Sequence, residues 1–279
     1  VTSLQLLEVL LVAVFAGAFG AMLGLGGGIV LVPALMSILG VPARTAVATS
    51  IVSVIATSSA GAIGYLRERY ADVRLALLLE SATTVGAVTG ALIALLLNAR
   101  VVAALFAALL VYAAVHLCRR EPKYEPPTKD TPGNAIRGEY HDKASGQRVA
   151  YAARAVPTGL AAGFFAGNVS AILGVGGGII MVPVMVSRMG IPMRVAAATS
   201  TLMIGVTAVA TAVPYYAAGE VDPHLAAPCA LGVLLGAQIG SRLQQRTRAR
   251  TLRILFACAL LATAIKMAHT AGLLKVIGL

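Results

Sequence analysis

Charge is scarce in this chain: Asp, Glu, Lys and Arg make up 12% of its 279 residues, about half the share usual in a soluble domain. In a water-soluble protein of this length, solvated side chains would interrupt the apolar runs at every turn or strand. Cysteine is scarcer. Cys118, Cys229 and Cys258 lie in apolar segments without CxxC spacing or a paired histidine, so they read as small buried side chains and not as redox or metal groups. Ten-residue stretches of alternating polarity are missing too, which removes the pattern of a transmembrane barrel. No cluster of His, Asp and Glu has catalytic or metal-binding spacing, so neither a cofactor nor a metal is expected.

What remains is apolar. Hydrophobic residues reach 58%, and the mean hydropathy is +0.87. Residues 4–23, 45–65, 75–97, 101–118, 195–218, 224–240 and 254–265 each carry at most one ionisable side chain. Crossing the hydrocarbon takes about 20 such residues as a helix, because lipid offers the backbone no hydrogen-bond partners. The first run lacks a basic flank and leads into a glycine motif that recurs later, so it reads as structure and not as a signal peptide. The formal charge of +11 would suggest nucleic acid in a soluble protein, but in a membrane protein it marks loops on the cytoplasmic side. The whole chain reads as membrane domain, with no nucleic-acid partner.

Laid on itself at an offset of 150, the chain matches GLGGGIVLVPALMSILGVPARTAVATS (24–50) to GVGGGIIMVPVMVSRMGIPMRVAAATS (174–200), with 15 of 27 positions identical. The register holds through Tyr65/Tyr215, Asp72/Asp222, Leu75/Leu225, Gly86/Gly236, Gly90/Gly240 and Arg100/Arg250. Chance likeness between apolar helices matches Leu and Ala; it does not keep glycines, prolines and charges in one frame. The chain therefore divides into a first repeat (1–118), a linker (119–148) and a second repeat (149–279). The linker holds four prolines, seven Lys/Arg and five Asp/Glu, a composition that predicts a flexible cytoplasmic segment. Arg67, Arg69 and Arg74 crowd a loop whose counterpart at 217–224 has no Lys or Arg and holds Glu220 and Asp222. In the next loop the bias reverses, from Arg100 alone to Arg242, Arg246, Arg248 and Arg250. By the positive-inside rule, equivalent loops lie on opposite sides of the membrane, both termini lie outside, and the repeats are inverted.

In each copy a helix runs into the glycine motif and is followed by only about eleven apolar residues, 29–39 or 179–189, enough for a half-helix of roughly 17 Å. Four glycines in five positions favour an unwound turn. The next half-helix then offers unpaired N–H groups and a partial positive end, where an anion can bind. Gly26, Gly27 and Gly28 with Gly176, Gly177 and Gly178 are the candidate binding backbone. Close helix packing is the competing reading of the same glycines. A dinucleotide fingerprint is not, since Ile29 stands where its last glycine belongs and no strand precedes it.

Thr49 and Ser50, with Thr199 and Ser200, lie about one and a half turns inside the following helix. They can bond back to their own helix or donate to the anion. Arg44 and Arg194 stand at the membrane boundary as interfacial anchors or vestibule cations. Glu80 is the clearest deep carboxylate, with Ala230 as its counterpart; it reads as a proton-coupling residue or as a side chain snorkelling to the near interface. Asn168, Gln238, Tyr65 and Tyr215 are candidates for a polar path.

The doubled GxGGGxxxVP, the GxPxRxAxATS stretch and the central linker resemble the sulfite exporter TauE/SafE family, also called the toluene sulfonate uptake permease family, over nearly the whole chain. The resemblance implies an inner-membrane transporter, bacterial or archaeal, of sulfur-containing anions or organosulfonates such as sulfite, thiosulfate or sulfoacetate, driven by a gradient of protons or sodium. The expected fold is an all-α polytopic membrane protein of about 8–10 membrane segments, each repeat a glycine-broken hairpin followed by three transmembrane helices. Alternating-access transport of a small anion is the leading functional reading. An anion channel of the same architecture comes second and a membrane enzyme last.

Overall fold

The computed structural model describes residues 3–23, 27–67, 69–118, 136–142, 147–246 and, near the end, 261, 263–265 and 267. The first repeat contributes α1 (Ser3–Leu23), α2 (Gly28–Ser37), α3 (Ala43–Arg67), α4 (Val73–Leu96) and α5 (Ala99–Cys118). A hairpin of β1 (Ile136–Asp142) and β2 (Gln147–Ala153) follows. The second repeat adds α6 (Val156–Leu173), α7 (Gly178–Ser187), α8 (Met193–Ala217) and α9 (Pro223–Arg246). The bounds of α2, α3 and α4 recur in α7, α8 and α9 exactly 150 positions on, so the sequence duplication is a duplication of structure.

Five of these helices, α3, α4, α6, α8 and α9, are long and apolar enough to cross a membrane. The half-helices α2 and α7 have ten residues each, about 15 Å. Where the first breaks are described, glycine makes them: Gly174 and Gly176 lie at φ +65° and +85°, a region costly for any residue with a Cβ. Gly40 and Gly190 reverse the chain after the half-helices at φ +64° and +69°, and Pro42 and Pro192 then lead into α3 and α8. Asp72 starts α4 by accepting the Leu75 N–H on its side chain, the N-cap role that satisfies an otherwise orphaned donor.

The largest helix contacts cross between repeats: α1 packs on α9, and α6 packs on α4. Glycines set their closeness. A Cβ on Gly86 or Gly90 would strike the backbone of Phe164 or Asn168, and one on Gly236 or Gly240 would strike Val14 or Ala18. Backbones can approach this closely only along a stripe of small residues. At the centre α3 and α8 run antiparallel, with Gly61 against Thr201 and Ser58 against Gly205. Accordingly the start of α3 meets the segment that follows α8, where the Thr45 hydroxyl donates to Glu220 at 3.3 Å.

The linker departs from its expected form. Its last part is an ordered antiparallel hairpin pairing Ile136 with Ala153 and Tyr140 with Val149, so the boundary at 148/149 falls inside β2. Composition summed over thirty residues concealed a local alternation: Arg137, Glu139 and His141 are exposed, while Ile136, Gly138 and Tyr140 are partly covered. Tyr151 and Ala153 are buried in a cluster with Met181, Met185 and Met189, an apolar shelf that a flexible segment could not use. The remainder of the expected linker, 119–135 and 143–146, lies outside the described residues, as does most of 247–279, including Cys258 and most of the stretch expected to form the last helix of the second repeat.

Candidate functional site

The two glycine motifs meet. Gly28, the first residue of α2, lies so close to the α6–α7 turn that a Cβ there would strike the Gly174 carbonyl oxygen and approach Ser50 Oγ. Ser50, fully buried on α3, donates to that carbonyl at 2.6 Å, joining the first repeat to the second repeat's glycine turn. In the second repeat Ser200 is the nearest polar group to Gly178, its Oγ 3.1 Å from where a Cβ would stand. Each serine of the ATS triplets therefore faces the start of its own repeat's half-helix. Neither half-helix has a side-chain cap at its N-terminus, where Gly27 and Gly177 occupy the cap positions. The arrangement concentrates hydroxyls and helix N-termini, which together favour an anion without a full cation.

The predicted residues do not all belong to this cluster. Thr199 turns away and accepts the Asp72 N–H at 3.0 Å, which ties the start of α8 to the α3–α4 turn. Thr49, its counterpart, is buried with no partner for its hydroxyl among the described residues. Adjacent helical residues point about 100° apart, so the Thr-Ser pairs divide between two environments. Gly27 packs against Val233 and Ala16, whereas a Cβ on Gly177 would meet Ala166 only at ordinary contact distance. Gly26 lies outside the described residues. Arg44 stands at the start of α3, donating to the Leu97 carbonyl at 3.1 Å and approaching Glu220 at 3.9 Å. Arg194 takes the equivalent place on α8. Of the polar-path candidates, Tyr215 ties α8 to α6 by donating to the Ala171 carbonyl, and Asn168 ties α6 to α4 by donating to Thr89 while also bonding the Phe164 carbonyl of its own helix.

Glu80 is not snorkelling. It is 7% exposed, and its Oε1 accepts the Thr207 hydroxyl of α8 at 2.8 Å and the Thr84 hydroxyl of its own helix at 3.0 Å. Oε2 is buried without a partner among the described residues. Two further groups escaped the sequence reading. Tyr151 donates from the hairpin to Asp72 Oδ2 at 2.9 Å, and Glu220 receives Arg44 and Thr45. Asp72 and Glu220 lie in loops whose charges had been weighed only for sidedness, so their partners were invisible. A groove bounded by Leu11, Phe15, Val30, Pro33 and Ile38 is apolar, and its Ser37 hydroxyl is already bonded to the Pro33 carbonyl.

Apolar spanning helices closed around buried hydroxyls and broken-helix N-termini, with the repeats packed crosswise, have the build of a multi-pass membrane transporter. Residues 9–267 match the family model described as Sulfite exporter TauE/SafE, and the chain belongs to that family. Among curated proteins it is similar to a probable membrane transporter protein, YunE, of Bacillus subtilis (strain 168), with 28% identity over 85% of this chain and 88% of that protein. It is also similar to a probable membrane transporter protein of Xylella fastidiosa (strain 9a5c), with 27% identity over 88% of this chain and 87% of that one. No solved structure gives a significant match.

Proposed function

We propose that this membrane transporter moves a small anion, a sulfur oxyanion or organosulfonate such as sulfite, across the inner membrane by alternating access driven by an ion gradient. The observation that carries the reading is the Ser50 to Gly174 bond, which brings a hydroxyl of one repeat onto the glycine turn of the other. An anion held by Ser50, Ser200 and the N-termini of α2 and α7 touches both repeats, so their relative movement carries it from one face to the other. The antiparallel run of α3 against α8 supports inverted repeats, and the arginine bias supports a cytoplasmic position for the hairpin and outside positions for the termini.

Flux of radiolabelled sulfite, thiosulfate and sulfoacetate into proteoliposomes tests the proposal. Saturable uptake that runs uphill on an imposed ion gradient is the expected result. Flux that never saturates and only follows the anion's own gradient would make the protein a channel. Sidedness has its own test: in a cysteine-free background, a cysteine at Arg69 labels from the cytoplasm and one at Gly219 from outside. Labelling of both from one side would overturn the inverted arrangement.

A further inference from the structure

The geometry around Glu80 points to a coupling ion. We propose that Glu80 binds the proton that drives transport, held on Oε2; this rests on the transport reading above. Glu80 lies about 10 Å along α4 from its start, well inside the spanning segment. Its two oxygens are treated unequally: Oε1 takes the Thr84 and Thr207 hydroxyl hydrogens, and Oε2 takes none among the described residues. An ionised carboxylate would leave that bare oxygen in a medium that solvates charge poorly. A proton on Oε2 removes the charge and leaves both Oε1 bonds intact.

Among the described residues of α4 and of the helices α6 and α8 packed on it, no ionisable group offers the compensation instead. Glu80 is the only acid in α4, and Arg74, its second residue, is that helix's only base. The packed helix α6 carries no ionisable side chain. On α8 the ionisable groups are Arg194 near the start and Tyr215 and Tyr216 near the end, and Tyr215 is bonded to the Ala171 carbonyl.

Coupling follows from where the bond runs. Glu80 belongs to the first repeat and Thr207 to the second, so the Thr207 bond spans the boundary across which the repeats must move. Releasing the proton requires Oε2 to reach water, which the buried arrangement forbids until that boundary opens. One protonation event is thereby tied to one movement of the repeats.

Two measurements on the full chain test this. In the first, infrared difference spectra of the purified protein are taken between acid and alkaline pH. A carboxylic C=O band that vanishes on deprotonation and is missing in Glu80→Gln is expected; an identical band in parent and variant would place the proton elsewhere. In the second, proteoliposomes are loaded with radiolabelled sulfite. Glu80→Gln, whose amide imitates the protonated acid, should lose gradient-driven accumulation at least about tenfold while keeping sulfite–sulfite exchange within about twofold of the parent. Undiminished accumulation in Glu80→Gln, or accumulation driven by sodium at equal pH, would overturn the assignment. If the parent moved none of the anions, the transport reading would fall, while the infrared result would still decide whether Glu80 holds a proton.

Discussion

The two repeats share a backbone and differ in what they place at equivalent points. On the face where α4 and α8 begin, Asp72 caps α4, gives its N–H to Thr199 and receives Tyr151 from the hairpin. On the opposite face the Asp222 side chain accepts only the His224 N–H among the described bonds, and the Thr49 hydroxyl has no partner among the described residues. The contacts between repeats there are looser, Arg44 to Glu220 at 3.9 Å with the arginine side chain 42% exposed, and Thr45 to Glu220 at 3.3 Å. Deep in the membrane Glu80 faces Thr207, while its counterpart is Ala230. Duplication built the frame, and departures from it mark where the two faces have been given different work: one is tied down, the other lightly held, and the lone carboxylate belongs to one half only.

The largest break in the comparison should come at the glycines. Gly28→Ala drives a methyl group into the Gly174 carbonyl and Ser50, with no flexible chain end to yield, so a stability loss of about 1–3 kcal/mol is expected in detergent unfolding. Gly177→Ala meets only ordinary contacts at φ −68° and should unfold like the parent. Equal losses for the two would mean that the motifs are mere packing devices. Next come the serines. If each serine donates to the bound anion, Ser50→Ala and Ser200→Ala should each weaken sulfite binding about ten- to a hundred-fold, the worth of one hydrogen bond to a charge. Ser50→Ala should also lose about 1 kcal/mol of stability with the Gly174 bond. Unchanged binding in both variants would move the site away from the glycine turns. The smallest effect belongs to the tied face: Tyr151→Phe removes one bond to Asp72 and should cost about 1 kcal/mol while leaving sulfite affinity alone. A large affinity change would show that the hairpin reaches the site.

Much of this was legible in the residues. Glycine, proline and arginine held in register announced the duplication, and eleven apolar residues between a glycine run and a Gly-x-Pro announced a half-helix. What stayed hidden was direction around a helix. A spanning segment that is apolar on every side gives no sign of which face meets protein and which meets lipid, so Glu80 could be read as snorkelling and Thr49 and Ser50 as one unit. Partners distant in sequence, such as Thr207 for Glu80 and Tyr151 for Asp72, depend on how the repeats clasp each other, which no local pattern records. The hairpin was missed for a different reason: an average over a charged, proline-rich stretch outweighed seven residues of alternation.

The crosswise packing of α1 on α9 and α6 on α4 bears on how the protein is made. When the ribosome has delivered only the first repeat, α4 already sits in the bilayer with Gly86 and Gly90 bare, since the helix that fills that groove begins at Val156. The first helix waits longer still, until Gly232, Gly236 and Gly240 arrive. Neither half can finish itself. The newborn chain must remain in the membrane as an incomplete clasp until α9 emerges, so truncation anywhere before α9 leaves α1 without its main partner and exposed to membrane quality control.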